Sequence, residues 1–228
     1  MKTIGLIGGM SWESTAHYYR VLNQETARRR GGLHSAPLII HSLDFAEIAA
    51  LQDAGEWDRA GQILHGVAGG LVDAGAQILG LATNTMHIVA DAIQADLNTP
   101  FIHIAEPTAA ALLADGFDTI GLLGTSFTME MDFYRNRLIA QGLEVMIPDV
   151  DRTNLNAIIY NELCRGVVTP QSRQTYVSAI ARLQQRGAQA VILGCTEIGM
   201  LINDDISPLP TYDTTELHAH ALVAAALA

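Results

Sequence analysis

TIGLIGGM, starting at Thr3, returns as TIGLLGTS at Thr119, and the tripeptide GAQ at Gly75–Gln77 returns at Gly187–Gln189. The first pair is 116 residues apart and the second 112, in the same order along the chain. At the first shift Tyr18 falls on Tyr134 and Leu22 on Leu138. At the second, Thr83 falls on Cys195, Asn84 on Thr196 and Thr85 on Glu197. Two matched pairs at nearly one spacing mark an internal duplication. That constrains the fold more than any local motif, because a repeated unit imposes one supersecondary pattern twice.

Within each copy the pattern is strand, then helix. Ile4–Ile7, Pro37–His41 and Ala76–Leu81 are short β-branched or leucine-rich runs without alternation, as strands buried on both faces require. Helical patterns lie between them, near Trp12–Arg29, Phe45–Leu51, Trp57–Ala74 and Met86–Ala95, with Asp44 and Glu47 as a capping box. The second copy predicts strands at Thr119–Leu123, Val145–Ile147 and Ala190–Leu193. Its helices fall near Met129–Ala140, Thr153–Leu163 and Gln171–Arg186, and a strand near Leu209–Thr211 leads into a helix from Thr214.

Alternating strands and helices predict an α/β fold of two pseudo-symmetric lobes, each a small, mostly parallel sheet flanked by helices. The expected lobes are 1–101 plus 206–228, and 102–205. The chain crosses between them near Thr99–Ile104 and Asp204–Pro208, and the last strand and helix complete the first lobe. Ligands of parallel sheets bind beyond the carboxyl ends of the strands, which places the active site in the cleft between lobes.

A formal charge of −11 argues against nucleic-acid or anionic-membrane partners, whose phosphates it would repel. Cys164 and Cys195 are the only cysteines, too few for a disulfide scaffold of this length, and a reducing, cytoplasmic setting is expected. The N-terminal apolar run is short and is followed by Trp12-Glu13 instead of a small-residue cleavage site. No stretch reaches the ~18 apolar residues of a membrane span.

The clusters TNT at Thr83–Thr85 and CTE at Cys195–Glu197 both follow strands, as do Gly8–Ser11 and Gly124–Ser126. A thiol at a strand-to-helix turn is placed for reactivity, since a helix N-terminus draws its pKa below the free value of about 8.5. Position alone leaves Cys195 between that role and a small buried hydrophobe. Cys164, inside the amphipathic run NAIIYNELCRG, reads as core filler. No metal is expected: His218 and His220 face different sides of a helix, and H-x-x-x-H and C-x-x-C spacings are lacking. His87 reads as a hydrogen-bonding group at a helix start. GLIGGM lacks the full G-x-G-x-x-G of a dinucleotide site.

GLIGGMSWEST, HSLDFAEI, TNTMH and GCTEIGML together resemble the aspartate/glutamate racemase family along essentially the whole chain. GCTE in place of GCTH is similar to the aspartate-racemase side. T-N-T in place of C-N-T resembles the branch specific for L-aspartate and L-glutamate, in which threonine replaces the first catalytic cysteine. The resemblance implies a cofactor-independent isomerase, commonly a dimer, acting on a small acidic amino acid. It implies Cys195 as general base and Thr83 as the proton donor on the opposite face. By the same resemblance Met10, Asn84, Thr85, Thr196 and Glu197 hold the amino and carboxylate groups, Gln52 contacts substrate, and Thr125 faces the cleft. Arg165 is either a bidentate clamp on a side-chain carboxylate or a solvated arginine near a helix end. A single-cysteine decarboxylase of the arylmalonate type and a catalytically silent amino-acid binder are the competing readings.

Overall fold

The computed structural model describes Met1–Ala228, which fall into two compact units: Met1–His103 with His218–Ala228, and Ile104–Leu217. The first contains β1 (Ile4–Gly8), α1 (Trp12–Arg30), β2 (Leu38–Ser42), α2 (Phe45–Ala54), α3 (Trp57–Asp73) and β3 (Ile78–Leu81). A 3₁₀ turn at Thr85–Val89 and α4 (Ala90–Gln94) follow. Its sheet is parallel, in the order β2-β1-β3. Successive residues of central β1 face opposite sides, and both sides are packed. Ile4 and Leu6 meet Tyr18 and Leu22 of α1, whereas Ile7 lies with Leu64, Ala68 and Leu71 of α3. That double burial is why the strand reads as an unbroken apolar run. The expectation that Pro37–His41 is equally buried fails, because β2 is the sheet's edge and its last three residues are exposed.

The second unit holds α5 (Ala105–Ala114), β4 (Thr119–Gly124), α6 (Ser126–Glu130), α7 (Asp132–Ala140), β5 (Glu144–Met146) and α8 (Arg152–Asn161). After it come α9 (Pro170–Gln185), β6 (Ala190–Gly194) and β7 (Thr211–Asp213). Its sheet is also parallel, in the order β5-β4-β6-β7. The duplication is visible side chain by side chain. Ile120, Leu122, Tyr134 and Leu138 form one core cluster here, and their counterparts Ile4, Leu6, Tyr18 and Leu22 form one in the first unit.

The repeated GAQ has a local physical cause. Gly75 and Gly187 have φ of 102° and 105°, which only glycine adopts cheaply. Each ends a helix in the same Schellman arrangement: Gly75 N–H to Val72 O and Ala76 N–H to Leu71 O, then Gly187 N–H to Gln184 O and Ala188 N–H to Leu183 O. The glutamine then fastens the next strand to its neighbour. Gln77 Oε1 accepts the Thr3 N–H at 3.0 Å, and Gln189 Oε1 accepts those of Asp118 and Thr119 at 3.0 and 3.2 Å.

Four expectations need correction. The final strand, Thr211–Asp213, pairs with β6 and belongs to the second unit, not the first. Asp204–Pro208 is therefore no crossing. The chain returns at His218, inside α10 (Thr214–Leu227), whose later turns lay Ala219, Leu222, Val223 and Ala226 on the first unit's core. The unit boundaries thus fall after His103 and Leu217, where 101 and 205 were expected. The third correction is α5, a helix not among those expected from the sequence, which contains Pro107. Proline is tolerated there, as the third helical residue, whose N–H has no helical partner anyway. Lastly, the single helix expected at Met129–Ala140 is two helices, broken at an extended Met131.

In the first unit, burial lowers the pKa of His218 from 6.5 to about 4, and His87 is lowered well below its usual value by the same cause. Between about pH 6.5 and pH 4 the unfolded chain therefore binds protons that the folded chain refuses. Their contribution to stability is complete above pH 6.5 and is lost as pH falls through that window. For His218 this amounts to about 3 kcal/mol. Thermal unfolding followed from pH 8 down to pH 4 should give a Tm that is level near neutrality and falls steadily below about pH 6.5. A level profile to pH 5 would mean that these rings take up protons in place.

Candidate active site

Two strand-end regions, one in each unit, carry the residues singled out by the sequence. In the first unit, the register pairs Ile7 with Leu81, so the turn after β1 and the turn after β3 leave the sheet side by side. The first is shaped by Gly9, at φ 92°, whose N–H donates to Thr15 Oγ1 at 2.7 Å. A Cβ on Gly9 would lie 2.2 Å from the Leu43 carbonyl oxygen, so no larger residue fits. Ser11 caps α1 through Ser14 N–H, and Ser14 Oγ donates to Ala82 O at 3.0 Å, tying the two turns together.

Thr83 sits in the second turn, with 7% of its surface exposed. Both of its backbone polar groups are held: its N–H donates to Leu81 O at 2.9 Å, and its carbonyl lies 2.8 Å from His87 Nδ1. Met10, Gln52, Asn84 and Thr85 are buried in the same unit, with Gln52 Nε2 donating to Met86 Sδ at 3.0 Å.

The second unit repeats the arrangement with different chemistry. Gly124 pairs with Gly194, so Thr125 and Cys195 emerge from adjacent strands. Thr125 Oγ1 caps α6 by accepting the Thr128 N–H at 3.2 Å. Cys195 is 8% exposed, and its Sγ donates to Glu197 Oε2 at 3.0 Å. Thr196 Oγ1 donates to that same oxygen at 2.7 Å. The other carboxylate oxygen, Oε1, lies 3.8 Å from Cys164 Sγ. One carboxylate thus gathers two thiols and a hydroxyl.

This changes the expected electrostatics. The element after Cys195 is only a 3₁₀ turn, Ile198–Met200, too short to supply the dipole of a helix start. Burial, then the charge of Glu197, push the Cys195 thiol well above its usual pKa. Cys164 is raised by the same two causes, burial first. The resting site holds neutral thiols beside a carboxylate, with no helix start to draw the Cys195 pKa down.

Arg165 ends the 3₁₀ turn Leu163–Arg165 and is exposed. Cys164 packs on the second unit's core, as expected of a filler, but its sulfur also reaches Glu197. The sequence offers no signal for that contact, which spans 33 residues. No three His, Cys, Asp or Glu side chains are grouped to hold a metal ion, and no helix is long and apolar enough to cross a membrane.

The Asp/Glu/hydantoin racemase family model matches residues 7–222. The chain is 49% identical to a Yersinia pestis protein provisionally named an Asp/Glu racemase, with all of both chains covered and a TM-score of 0.92. It is 35% identical to an aspartate racemase homologue from Pyrococcus horikoshii, again over the whole of both chains, with a TM-score of 0.85. The glutamate racemase of Francisella tularensis, solved with D-glutamate, shares the fold at 18% identity, a TM-score of 0.67 and coverage of 99% of this chain and 80% of that one. Matched by its family model from β1 into α10, and sharing its two-sheet α/β architecture with these structures, the chain belongs to the Asp/Glu/hydantoin racemase family.

Proposed function

We propose that this protein racemises aspartate or glutamate by moving the α-proton between two faces of the substrate, Cys195 acting as base and Thr83 as donor. The observation that carries the reading is positional. Thr83 and Cys195 stand at the same place in two copies of one unit, just past the carboxyl end of the strand beside the central one. Inversion at carbon needs one acid/base group per face, and a duplicated unit supplies two equivalent places. The reading requires that Cys195 and Thr83 reach one α-carbon from opposite sides.

Glu197 is the acceptor we assign to the proton that Cys195 must lose to act as base. Its Oε2 receives the Cys195 S–H at 3.0 Å, so a short proton shift leaves thiolate beside a neutral carboxyl. The net charge of the pair is unchanged. A substrate ammonium entering nearby favours the thiolate form further. The thiolate then takes the α-proton, and a hydroxyl, although a poor base, is a competent acid toward a carbanion. Asn84, Thr85, Thr196 and Met10 serve to hold the amino and carboxylate groups, and Arg165 to meet the substrate's side-chain carboxylate.

Because the enantiomers are equal in free energy, kcat/KM must match in the two directions. The threonine separates the individual kcat and KM values without making the reaction one-way. Thr83→Cys should rebuild a symmetric pair and raise turnover from the D enantiomer by about 10-fold or more. An unchanged rate would mean that another group donates. The reading itself is tested by incubating L- and D-amino acids with the protein in deuterated water and following α-deuteration by NMR. Label entering only amino acids other than aspartate and glutamate, or none at all, would refute it.

One observation favours a second reading. A thiol held neutral is what a decarboxylase of the arylmalonate type needs, since loss of carbon dioxide makes the carbanion and only protonation remains. Carbon dioxide release from a substituted malonate, without proton exchange on amino acids, would select it.

A further inference from the structure

Behind the Thr83 turn lies a group of buried side chains that the proton transfer does not use. The ring of His87 stands 4.4 Å from that of His103 and 5.9 Å from that of His218, both edge-on. All three residues are buried. Burial and mutual repulsion keep His87 neutral, and burial does the same for His218. Their partners then assign the protons. A carbonyl oxygen only accepts, so His87 carries its proton on Nδ1, facing Thr83 O, and His218 on Nε2, 2.8 Å from Ile102 O. That leaves His218 Nδ1 to accept from Tyr18 Oη at 2.7 Å.

The location of this cluster matters as much as its bonds. His103 is the last residue before the chain leaves the first unit, and His218 is the first after it returns. Both chain crossings therefore end in rings packed around the one that grips Thr83. Apolar side chains would fill this volume without the desolvation cost of three imidazoles.

We propose that His87, supported by His103 and His218, is a positioning residue that fixes the Thr83 turn relative to the two chain crossings and so sets proton delivery by the Thr83 hydroxyl. The inference rests on the racemase reading above. The Thr83 N–H and carbonyl are both hydrogen-bonded, and a shift of about 1 Å at a reacting group can cost about 100-fold.

The test separates proton removal from proton delivery. With β-chloro-L-aspartate, loss of the α-proton to the base expels chloride, and the resulting enamine tautomerises and hydrolyses to oxaloacetate and ammonium, with no delivery to the far face. Racemisation of L-aspartate needs both steps. His87→Leu should lower racemisation by about 100-fold while elimination stays within a few-fold of the unsubstituted enzyme. His87→Asn, which keeps an N–H at the Nδ1 position, should restore the ratio, whereas His87→Gln, with its N–H further out, should not. Equal loss of both reactions in His87→Leu, with no recovery in His87→Asn, would overturn the proposal.

A readout independent of turnover is the tautomer seen by ¹⁵N NMR of labelled histidines, expected as Nδ1–H for His87 and Nε2–H for His218. Nε2–H at His87 would overturn the inference even in a protein that racemises. Expected tautomers in a protein inert to aspartate and glutamate would support the clamp on the Thr83 turn and count against the racemase reading alone.

Discussion

Cys195→Ala should abolish exchange of the α-proton of aspartate and glutamate with solvent, an expected loss of about 10⁴-fold, at the upper end of what one acid/base group contributes. The substitution removes only a sulfur from the edge of the core cluster formed with Leu193 and Ile198, so folding should suffer by about 1 kcal/mol. Cys195→Ser keeps a donor toward Glu197 but is nearly as inactive, since the pKa of a hydroxyl lies too high for the carboxylate to deprotonate. Exchange is read by NMR in deuterated water and folding by thermal unfolding. Retained exchange in a folded Cys195→Ala protein removes this residue from the base role and leaves the mechanism without its thiol.

Glu197→Gln should produce two effects of opposite sign. The neutral amide no longer repels a thiolate, so the pKa of Cys195 falls and its alkylation by iodoacetamide at about pH 8 quickens. The amide also cannot take up the thiol proton, so turnover drops by about 100-fold. Alkylation must be assigned to Cys195 by peptide mass, because Cys164 faces the same carboxylate. A carboxylate that only restrained the thiol would give the other pattern, in which turnover and alkylation rise together. That result would dismiss Glu197 as the proton acceptor.

The two variants also distinguish what was legible in the residues from what was not. Cys195 could be picked out because it aligns with Thr83 across the duplication and follows an apolar run. Glu197, two residues on, is expected as a substrate contact, and its oxygens also meet Cys164 and Cys195. No pattern signals such a contact, because the turn after Cys195 is irregular and its side-chain directions depend on the three-dimensional path. The same limit applies to the electrostatics. A strand-to-helix turn can favour thiolate, but only a three-residue 3₁₀ turn follows Cys195, and a carboxylate faces its sulfur.

The sequence by itself determined the alternation of strands and helices, the duplication, and the strand-end placement of Thr83 and Cys195. These depend on periodicity and local turn chemistry, such as the glycine and glutamine of each GAQ. Tertiary structure alone decided which sheet receives the last strand, where the chain returns to its first unit, and which groups surround each reactive atom. Strand choice depends on which edge is open, and the return to the first unit falls inside α10, where no local signal marks a boundary. The clustering of His87 and His103 with His218, more than a hundred positions further along the chain, follows from those two crossings. Long-range packing of this kind leaves no periodic trace in the chain, because it is set by where surfaces meet and not by local spacing.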